Sequence, residues 1–280
     1  MASPYSDLER PPLAEPALRR ALITPGGLWT ALDYRPTTGS TNADATAKAR
    51  DGAPEGYIVT ADTQTAGRGR LDRQWESPPR AGIAVSVLLR PGVAGELGPA
   101  VPPSGYATLP LLAGVALAES VRRLGDVDAT LKWPNDLLIG DRKCAGILAE
   151  TVPGDGPPAV VIGIGLNVTL REAELPRPDV TSLRLAGSDC VDRDPLLRAL
   201  LRSLADLYLR WRAAGGDAEA SGLIEAYRFH CATIGREVEV TLPGGNRFTG
   251  VATGVAPDGS LVVGDRVVAA GDVVHVRANA

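Results

Sequence analysis

The chain has 280 residues, which allows one large or two unequal domains with a well-filled hydrophobic core. Its formal net charge of −4 argues against a general nucleic-acid-binding surface, which would favour a basic face. No apolar run approaches the roughly 20 residues that span a bilayer, and the polar N-terminus lacks the apolar centre of a signal peptide. The three widely spaced cysteines indicate neither a disulfide framework nor a zinc site, so we expect a reduced, cytoplasmic protein.

Helical and strand patterns alternate through most of the chain. Residues 1–30 are interpreted as a lead-in, and residues 31–232 as one large domain. The predicted helices are Leu18–Ile23, Ala43–Arg50, Tyr106–Leu124, Asp194–Arg212 and Glu219–Phe229. The predicted strands of this region are Tyr57–Ala61, Gly82–Leu89, Ala129–Trp133, Leu137–Ile139, Ala145–Glu150 and Ala159–Asn167. Gly125 is expected to be the C′ residue that ends the third helix.

The last part of the chain has a different sequence pattern, which predicts short strands separated by glycine-rich turns. The predicted strands are Val238–Leu242, Arg247–Val255, Leu261–Val263, Arg266–Ala269 and Val273–Arg277. Five short strands at this spacing indicate a small β-barrel over residues 233–280. The boundary between the two domains is therefore placed near residue 232.

A segment rich in glycine and arginine, Gln64–Pro78, follows the first predicted strand. We name this segment the arginine loop. Backbone N–H groups of such a loop can approach an anion closely, while arginine side chains pair with its oxygens. In an acidic chain, this concentration of positive charge indicates a site for a small anion. A solvated surface loop explains Gly67–Arg70 equally well, and Trp75 either walls a site or anchors the loop to the core.

A second candidate group is Lys132-Trp-Pro-Asn-Asp136, which is followed by Arg142 and Lys143. Lys132 lies at the end of an apolar predicted strand, where its ammonium group could reach a carboxylate or a phosphate. Asp136 could neutralise a neighbouring cation or help to hold Mg²⁺. Taken alone, the segment is explained more simply as a turn with a snorkelling lysine.

A third candidate is Asn167, whose amide ends an apolar strand and has the donor and acceptor needed to read a base edge. Asparagine at a strand end is more often a turn former. The chain has no Walker-type phosphate loop, no G-x-S-x-G elbow and no H-E-x-x-H motif. His230 and His275 are the only histidines, so histidine catalysis is not expected. Gly163-Ile-Gly165 is too short to count as a dinucleotide fingerprint.

Six segments, in this order and spacing, resemble the motifs of the biotin–protein ligase family. They are Ser40–Asn42, Gln64–Arg70, Arg73–Pro78, Lys132–Asp136, Arg142–Leu148 and Gly163–Asn167. The resemblance runs from about residue 35 to the C-terminus. It implies an α+β fold, with a mixed β-sheet and helices like those of class II aminoacyl-tRNA synthetases, followed by a small C-terminal SH3-like β-barrel.

The resemblance also implies an ATP-dependent ligase of the monofunctional bacterial type. Biotin's carboxylate would attack the α-phosphorus of ATP to give biotinyl-5′-adenylate. A lysine of the biotin carboxyl carrier domain of an acyl-CoA carboxylase would then accept the biotin. Biotin, ATP and Mg²⁺ are the implied small molecules. Because both substrates of the first step are anions, positioned cations are expected to provide the catalysis.

Roles follow from the resemblance residue by residue. The biotin-binding positions are Ser40, Thr41, Asn42, Gln64, Gly67, Arg68, Gly69, Arg70, Trp75, Lys143 and Gly146. The ATP-binding positions are Arg70, Arg73, Lys132, Asn135 and Asn167. The catalytic positions are Lys143, Arg70, Lys132 and Asp136, and Asp136 is also the candidate Mg²⁺ ligand. Thr169–Leu183 lies where the family has a loop that covers the adenylate, and Pro176 and Pro178 predict that it is irregular.

Two other functions stay open at this point. A lipoate or octanoate transferase or ligase shares the implied catalytic fold, and the Lys143 region alone does not separate the two. A nucleic-acid-binding module could use the arginine loop and the terminal barrel, although the acidic balance weighs against it. Because only about 30 residues precede the resemblance, no DNA-binding winged helix is expected. We expect no nucleic-acid or membrane partner, and a monomer or weak homodimer.

Overall fold

The structure, a computed structural model, describes residues 9–71 and 73–276. The α-helices of this part are α1 (Glu15–Leu22), α2 (Thr41–Arg50), α3 (Leu109–Gly125), α4 (Arg193–Ala213) and α5 (Leu223–His230). The strands are β1 (Ala31–Arg35), β2 (Tyr57–Ala61), β3 (Gly82–Leu89), β4 (Ala129–Lys132), β5 (Asp136–Ile139), β6 (Arg142–Val152), β7 (Ala159–Asn167), β8 (Glu237–Thr241), β9 (Arg247–Val255), β10 (Leu261–Val263), β11 (Arg266–Val268) and β12 (Asp272–His275). Short 3₁₀ turns occupy Pro103–Thr108 and Glu172–Glu174.

Seven strands form one mixed sheet in the order β1-β2-β3-β7-β6-β5-β4. β1 and β2 pair in parallel, and the other neighbours pair antiparallel. The last five strands form a separate antiparallel sheet in the order β11-β10-β9-β8-β12. The predicted α+β fold class, a mixed sheet with helices followed by a small C-terminal β unit, is confirmed.

Helices cover both faces of the seven-stranded sheet. Successive residues of a strand point to opposite faces, and Ile58 belongs to the core cluster under α3 and α4, whereas Val59 belongs to the cluster under α2. The α2 side is built from small residues, with Ala45 and Ala49 packed on the strands. Because alanine adds one carbon beyond the backbone, α2 lies close to the sheet. Its first turn therefore reaches the central strands.

The first turn of α2 is capped by Ser40. The hydroxyl of Ser40 accepts a hydrogen bond from the backbone N–H of Ala43 at 3.5 Å, and Ser40 itself is in extended conformation. The predicted helix Ala43–Arg50 is therefore two residues longer at its start, since α2 begins at Thr41. This start places the side chains of residues 40–42 at the edge of a cleft.

Two expectations about the third helix are wrong. The segment from Tyr106 begins as a 3₁₀ turn, and α3 starts at Leu109, with a proline in its first turn where the missing N–H costs nothing. Gly125 is the last helical residue and not the C′ residue. Asp126 follows it in the left-handed conformation, with φ 47°, because aspartate is among the few non-glycine residues that tolerate it.

Some other element boundaries also differ. β1 is absent from the predicted strands, because its sequence ALDYR has no clear alternation and it lies at the sheet edge. The helix predicted over Glu219–Phe229 starts at Leu223, after Gly222 with φ 76°. The first helix extends over Glu15–Leu22. The last strand ends at His275, and Arg277 lies outside the described residues.

The two sheets contact each other through the end of β4. The indole N–H of Trp133 donates to the carbonyl of Gly259 at 2.9 Å, and its backbone N–H donates to the hydroxyl of Thr233 at 3.0 Å. This contact brings β12 alongside the β4–β5 connection, while the division of the chain near residue 232 stays a prediction. Within the described residues, none of the helices combines the length and apolar character needed to cross a membrane.

Candidate active site

A cleft of about 1290 Å³ runs along the carboxyl end of β7, under the segment between β2 and β3, and up to β12. Ligand pockets commonly enclose about 300–1,000 Å³, so the cleft has room for two substrates side by side. Its walls contain every biotin-binding, ATP-binding and catalytic residue predicted from sequence except one. Those that line it are Ser40, Thr41, Asn42, Gln64, Arg68, Gly69, Arg70, Arg73, Trp75, Lys132, Asn135, Asp136, Lys143, Gly146 and Asn167.

Gly67 is the predicted site residue that does not line the cleft. It is buried at the base of the arginine loop, where its carbonyl accepts from the backbone N–H of Trp75 at 2.9 Å. A Cβ on Gly67 would lie 2.4 Å from the Trp75 carbonyl oxygen. Glycine is therefore required here for a close approach of two backbones, and the structure assigns Gly67 to loop packing.

The floor of the cleft is made of glycines on adjacent strands. Gly146 of β6 and Gly165 of β7 are partners in the ladder, and the ring of Trp75 lies over both. A Cβ on Gly165 would be 2.4 Å from Trp75 Cε2, and a Cβ on Gly146 would be 3.2 Å from Cζ3. Two residues before Gly165 on β7, a Cβ on Gly163 would be 1.9 Å from Asn42 Oδ1. The absence of side chains on these strands makes room for Trp75 and Asn42.

A network of hydroxyls and amides forms one end of the cleft. Gln64 Oε1 accepts from the backbone N–H of Thr41 at 2.8 Å and from its hydroxyl at 3.1 Å, which leaves the Gln64 amide nitrogen to donate. Ser86 Oγ lies 2.8 Å from the Thr41 hydroxyl and 2.6 Å from Asn42 Oδ1. Ser40, Thr41 and Asn42 are all buried. The network presents a fixed, mixed set of donors and acceptors to a polar ligand.

The arginine loop is a tight hairpin in which Arg68 and Gln74 form an antiparallel bridge. The Gly69 N–H donates to the Arg73 carbonyl at 2.7 Å, and Leu71 at the tip has φ 54°. Arg68 and Arg73 thus lie in the paired part of one short hairpin, and Arg70 lies near its tip. Three guanidinium groups are therefore carried on a narrow arm rather than on a rigid strand.

Each of the three loop arginines has a partner outside the loop. Arg68 pairs with Glu150 of β6 at 2.9 Å. Arg70 donates to Asn135 Oδ1 at 3.0 Å and to the Gly271 carbonyl at 3.0 Å, and Arg73 is paired with Asp272. Two of these four contacts tie the loop to the start of β12, so the C-terminal sheet forms one side of the cleft entrance.

Lys143 and Asp136 form an ion pair inside the cleft. Lys143 Nζ lies 2.5 Å from Asp136 Oδ1, and both side chains are about one-fifth exposed (24% and 19%). A bulge in the β5–β6 ladder between Leu137 and Leu138 shifts the register that brings them together. The ammonium group also lies 5.9 Å from the centre of the Trp75 ring. A compact positive charge is thereby held at the middle of the cleft.

Lys132 and His275 lie beside this pair in the cleft. The chain has three lysines, and two of them, Lys132 and Lys143, line the cleft. Burial lowers the pKa of Lys132, while Asp136 partly opposes that effect. Burial, then the positive charges of Lys132 and Arg236, lower the pKa of His275 to about 4. The histidine is therefore neutral at pH 7, and it shares a hydrogen bond with the Thr233 hydroxyl at 3.0 Å.

Asn167 and the segment after it form the opposite wall. The Asn167 amide donates to the Thr181 carbonyl at 3.0 Å. The backbone N–H of Lys143 donates to the Asp179 carbonyl at 2.7 Å, and the Thr181 N–H donates back to the Lys143 carbonyl at 2.8 Å. Residues 169–183 are irregular, as predicted, apart from the 3₁₀ turn Glu172–Glu174 and a parallel bridge between Val180 and Lys143.

Comparison with known proteins agrees with this geometry. The profile of the Biotin/lipoate A/B protein ligase family matches residues 36–167, and that of the Biotin protein ligase C terminal domain matches residues 233–276. A biotin–[acetyl-CoA-carboxylase] ligase of Mycobacterium tuberculosis is 43% identical over 279 residues, which are 97% of this chain and 98% of that protein. The chain belongs to the biotin–protein ligase family. The resemblance inferred from the six motifs is thus confirmed.

Other biotin–protein ligases give the same result. A bifunctional ligase/repressor of Bacillus subtilis is 33% identical over 236 residues, covering 83% of this chain and 69% of that protein. The solved biotin protein ligase from Aquifex aeolicus, in complex with biotin and ATP, aligns with a TM-score of 0.71. That alignment has 24% identity and covers 89% of this chain and 100% of the other, which shows a shared fold.

Several residues at the cleft are absent from the site residues predicted from sequence. Gly163, Gly165, Asp272 and His275 line it, and Ser86 and Glu150 hydrogen-bond to side chains of its walls. Gly163 and Gly165 had a readable signal, since glycines at alternate positions of an apolar strand often mark a close approach. The others carried no local signal. Each lines the cleft or bonds to its walls only because strands distant in sequence lie side by side.

Cysteine chemistry and a preformed metal centre do not fit this site. Cys144 is completely buried, and burial raises the pKa of its thiol far above the usual range, so it is not a reactive thiolate. Among residues 9–71 and 73–276, no three His, Cys, Asp or Glu side chains gather as a metal-binding group. A carboxylate such as Asp136, together with phosphates of a bound nucleotide, is the arrangement that suits Mg²⁺.

Proposed function

We propose that the chain is an ATP-dependent biotin–protein ligase that forms biotinyl-5′-adenylate and transfers biotin to a lysine of the biotin carboxyl carrier domain of an acyl-CoA carboxylase. The observation that carries the proposal is the convergence of Lys143 and three loop arginines on one cleft. The ring of Trp75 walls one part of that cleft, and Thr41 and Gln64 give one end of it both hydrogen-bond donors and acceptors. The 43% identity to a biotin–[acetyl-CoA-carboxylase] ligase supports it.

In the first step, a carboxylate oxygen of biotin forms a bond to the α-phosphorus of ATP. The bond between that phosphorus and the bridging oxygen breaks, and pyrophosphate leaves. Both reactants are negatively charged, so bringing them together is opposed by repulsion. The Lys143 ammonium group, placed between the Trp75 ring and the nucleotide side of the cleft, offsets this repulsion where the new bond forms.

Biotin fits the end of the cleft that is lined by Ser40, Thr41 and Gln64. Its ureido ring has one carbonyl and two N–H groups, which match hydroxyl acceptors and the remaining Gln64 amide donor. Trp75 covers the glycine floor and packs against the apolar part of the ligand. Asn42 is held by Ser86 and Glu150 and is assigned to shaping the pocket from below.

ATP fits the other end, between the arginine loop, Lys132 and Asn167. Arg70 and Arg73 carry forked donors suited to phosphate oxygens, and both are held at the entrance by groups that a phosphate can replace. Lys132 and Asn135 face the phosphates in this assignment, and Asn167 faces the adenine. Mg²⁺ would be held by Asp136 with the phosphates, where it would neutralise charge on the leaving group.

In the second step, the ε-amine of the carrier lysine attacks the acyl carbon of biotinyl-5′-adenylate. An amide bond forms, the acyl–phosphate oxygen bond breaks, and AMP leaves. Asp136 lies beside Lys143 in the cleft and is assigned to orienting the incoming amine. Water must be kept out until the amine arrives, because the mixed anhydride hydrolyses. The arginine loop and residues 169–184 are the two segments placed to cover it.

The direct test is incubation of the purified protein with biotin, ATP, Mg²⁺ and a biotin carboxyl carrier domain. Biotin should become attached to the carrier, with release of one pyrophosphate and one AMP per biotin. Omission of ATP, or replacement of the acceptor lysine by arginine, should prevent labelling. Absence of labelling with the intact mixture would contradict the proposal.

The same assay addresses the alternative acyl substrate. Octanoate and lipoate replace biotin in parallel reactions, together with a lipoyl carrier domain. The glycine floor and the ureido-matching polar end favour biotin, because a straight fatty acyl chain makes no use of Thr41 and Gln64. Preferential transfer of octanoate or lipoate would assign the chain to that branch of the wider family.

A further inference from the structure

The segment ahead of α1 is built into the fold at one specific place. Arg10 is 5% exposed and lies against residues 169–174, about 160 positions later in the chain. Its guanidinium donates to Glu174 Oε1 at 3.0 Å and Oε2 at 2.5 Å, to the Thr169 hydroxyl at 3.1 Å and to the Thr169 carbonyl at 2.7 Å. A buried guanidinium with a forked carboxylate partner and two further acceptors is well satisfied.

Glu9 makes a complementary contact. One of its carboxylate oxygens lies 3.2 Å from Arg171 Nη2 and 2.7 Å from Arg184 Nη1. Arg171 and Arg184 stand at the two ends of the irregular segment that covers one wall of the cleft. Glu9 thus bridges both ends of that loop, while Arg10 holds its first turn.

Both carboxylates of this arrangement are favoured in their charged form. Hydrogen bonding to Arg10 lowers the pKa of Glu174, and hydrogen bonds from Arg184 and then Arg171 lower the pKa of Glu9. The ion pairs are therefore formed at neutral pH. We name residues 169–184 the cover loop, and the contacts of Glu9 and Arg10 with it the neck clamp.

The far part of the cover loop lies at the cleft, beside Lys143. Pro176, Arg177, Asp179 and Val180 line the cleft. The backbone of Asp179 and Thr181 is paired with the backbone of Lys143 on both sides of that residue. A loop whose ends are fixed has fewer conformations available than one whose ends move, so closing the neck favours this pairing.

We propose that Glu9 and Arg10 are positioning residues, which close the neck of the cover loop and thereby hold its tip against Lys143 and over the adenylate. The inference rests on the proposed function for its catalytic consequence, but its structural part is independent of any substrate. Neither residue touches the cleft; they act through Glu174, Arg171 and Arg184.

The first measurement is hydrogen exchange of the ligand-free protein, at the amides of Lys143 and Thr181. Arg10→Ala should accelerate exchange at both amides by about tenfold, as expected for loss of charge-assisted hydrogen bonds. Arg10→Lys should fall between Arg10→Ala and the parent, because lysine keeps the charge but lacks the fork. Arg20→Ala is the matched control, since Arg20 lies on the exposed side of α1 and should leave exchange unchanged.

The second measurement is the rate at which biotinyl-5′-adenylate leaves the enzyme. Arg10→Ala and Glu174→Gln should each raise this rate by about tenfold, and the double variant should be no worse than either single variant, because both remove the same contact. KM for biotin should stay unchanged, since the biotin end of the cleft is formed by other segments. A general loss of structure would instead raise KM for biotin and accelerate exchange throughout the seven-stranded sheet.

The outcomes test the structural clamp separately from its effect on catalysis. Unchanged exchange at Lys143 and Thr181 in Arg10→Ala overturns the neck clamp, whatever reaction the protein catalyses. Faster exchange at those amides without faster release of the adenylate overturns the catalytic consequence. A parent protein that releases no pyrophosphate with biotin and ATP overturns the proposed function, while the exchange result still decides the clamp.

Discussion

The ring of Trp75 fills the space in which a side chain of Gly165 would stand, with Trp75 Cε2 only 2.4 Å from the position of a Cβ. The ladder partner of Gly165 is Gly146, so the ring lies over two glycines of adjacent strands. The depth of the pocket is therefore set by the sheet and not by the loop that carries Trp75. It follows that substitutions on β7 should change ligand binding without touching any polar group.

Gly165→Ala should raise KM for biotin by about tenfold or more, because the added methyl group displaces Trp75, and overpacking commonly costs about 1–3 kcal/mol. The measurement is steady-state biotinylation kinetics with biotin varied at saturating ATP. Gly154→Ala is a matched control, since nothing lies within 4 Å of a Cβ at Gly154. A normal KM for biotin in Gly165→Ala would show that the ring is not part of the biotin pocket.

Lys143→Ala should reduce adenylate formation by roughly 10²–10³-fold, the usual cost of removing one group that stabilises developing charge. The readout is biotin-dependent pyrophosphate release before any carrier is added. Lys48→Ala serves as control, because Lys48 lies outside the cleft and rests over the Tyr57 ring. If Lys143→Ala formed adenylate at the parent rate, Lys143 would have no role in the first step.

Arg70→Gly should leave adenylation measurable while allowing biotinyl-5′-adenylate to escape. The substitution removes the loop's contacts with Asn135 and Gly271 and adds backbone freedom. The escaped anhydride should label lysines of an unrelated bystander protein, which the parent should not do. Arg70→Lys keeps the charge without the fork and should leak less. Full retention of adenylate by Arg70→Gly would contradict the role of Arg70 as a cover.

The stability of the protein should fall as pH drops from about 6.5 towards 4, in part through His275. The pKa of His275 is about 4 in the folded protein, against its ordinary value of 6.5, so in this window the unfolded chain binds the extra proton. Protonation thus favours unfolding, whereas above pH 6.5 the residue has no effect. His275→Gln should make the midpoint of urea unfolding less dependent on pH between 7 and 5. Equal pH dependence in both proteins would show that His275 titrates normally.

Much of the secondary structure could be predicted from the sequence because it depends on residues close together in the chain. Tyr57–Ala61, Gly82–Leu89 and Ala159–Asn167 are strands over the predicted residues, since each is a β-rich apolar run closed by turn residues. β1 was not readable, because a short edge strand needs little apolar alternation. Gly125 and Asp126 show the limit at a helix end, where composition marks the region but not the residue that turns the chain.

The chemistry available to this protein follows from its residue types and their order: six motifs, an arginine-rich loop, and two of three lysines placed in those motifs. Which groups these residues face depends on how the chain folds. The fold puts Asp136 against Lys143 through a bulge, Trp75 over Gly146 and Gly165, and Arg73 against Asp272 of the other sheet. Residue type sets charge and hydrogen-bonding capacity, whereas distance between side chains depends on strand register and on contacts between segments far apart in the chain.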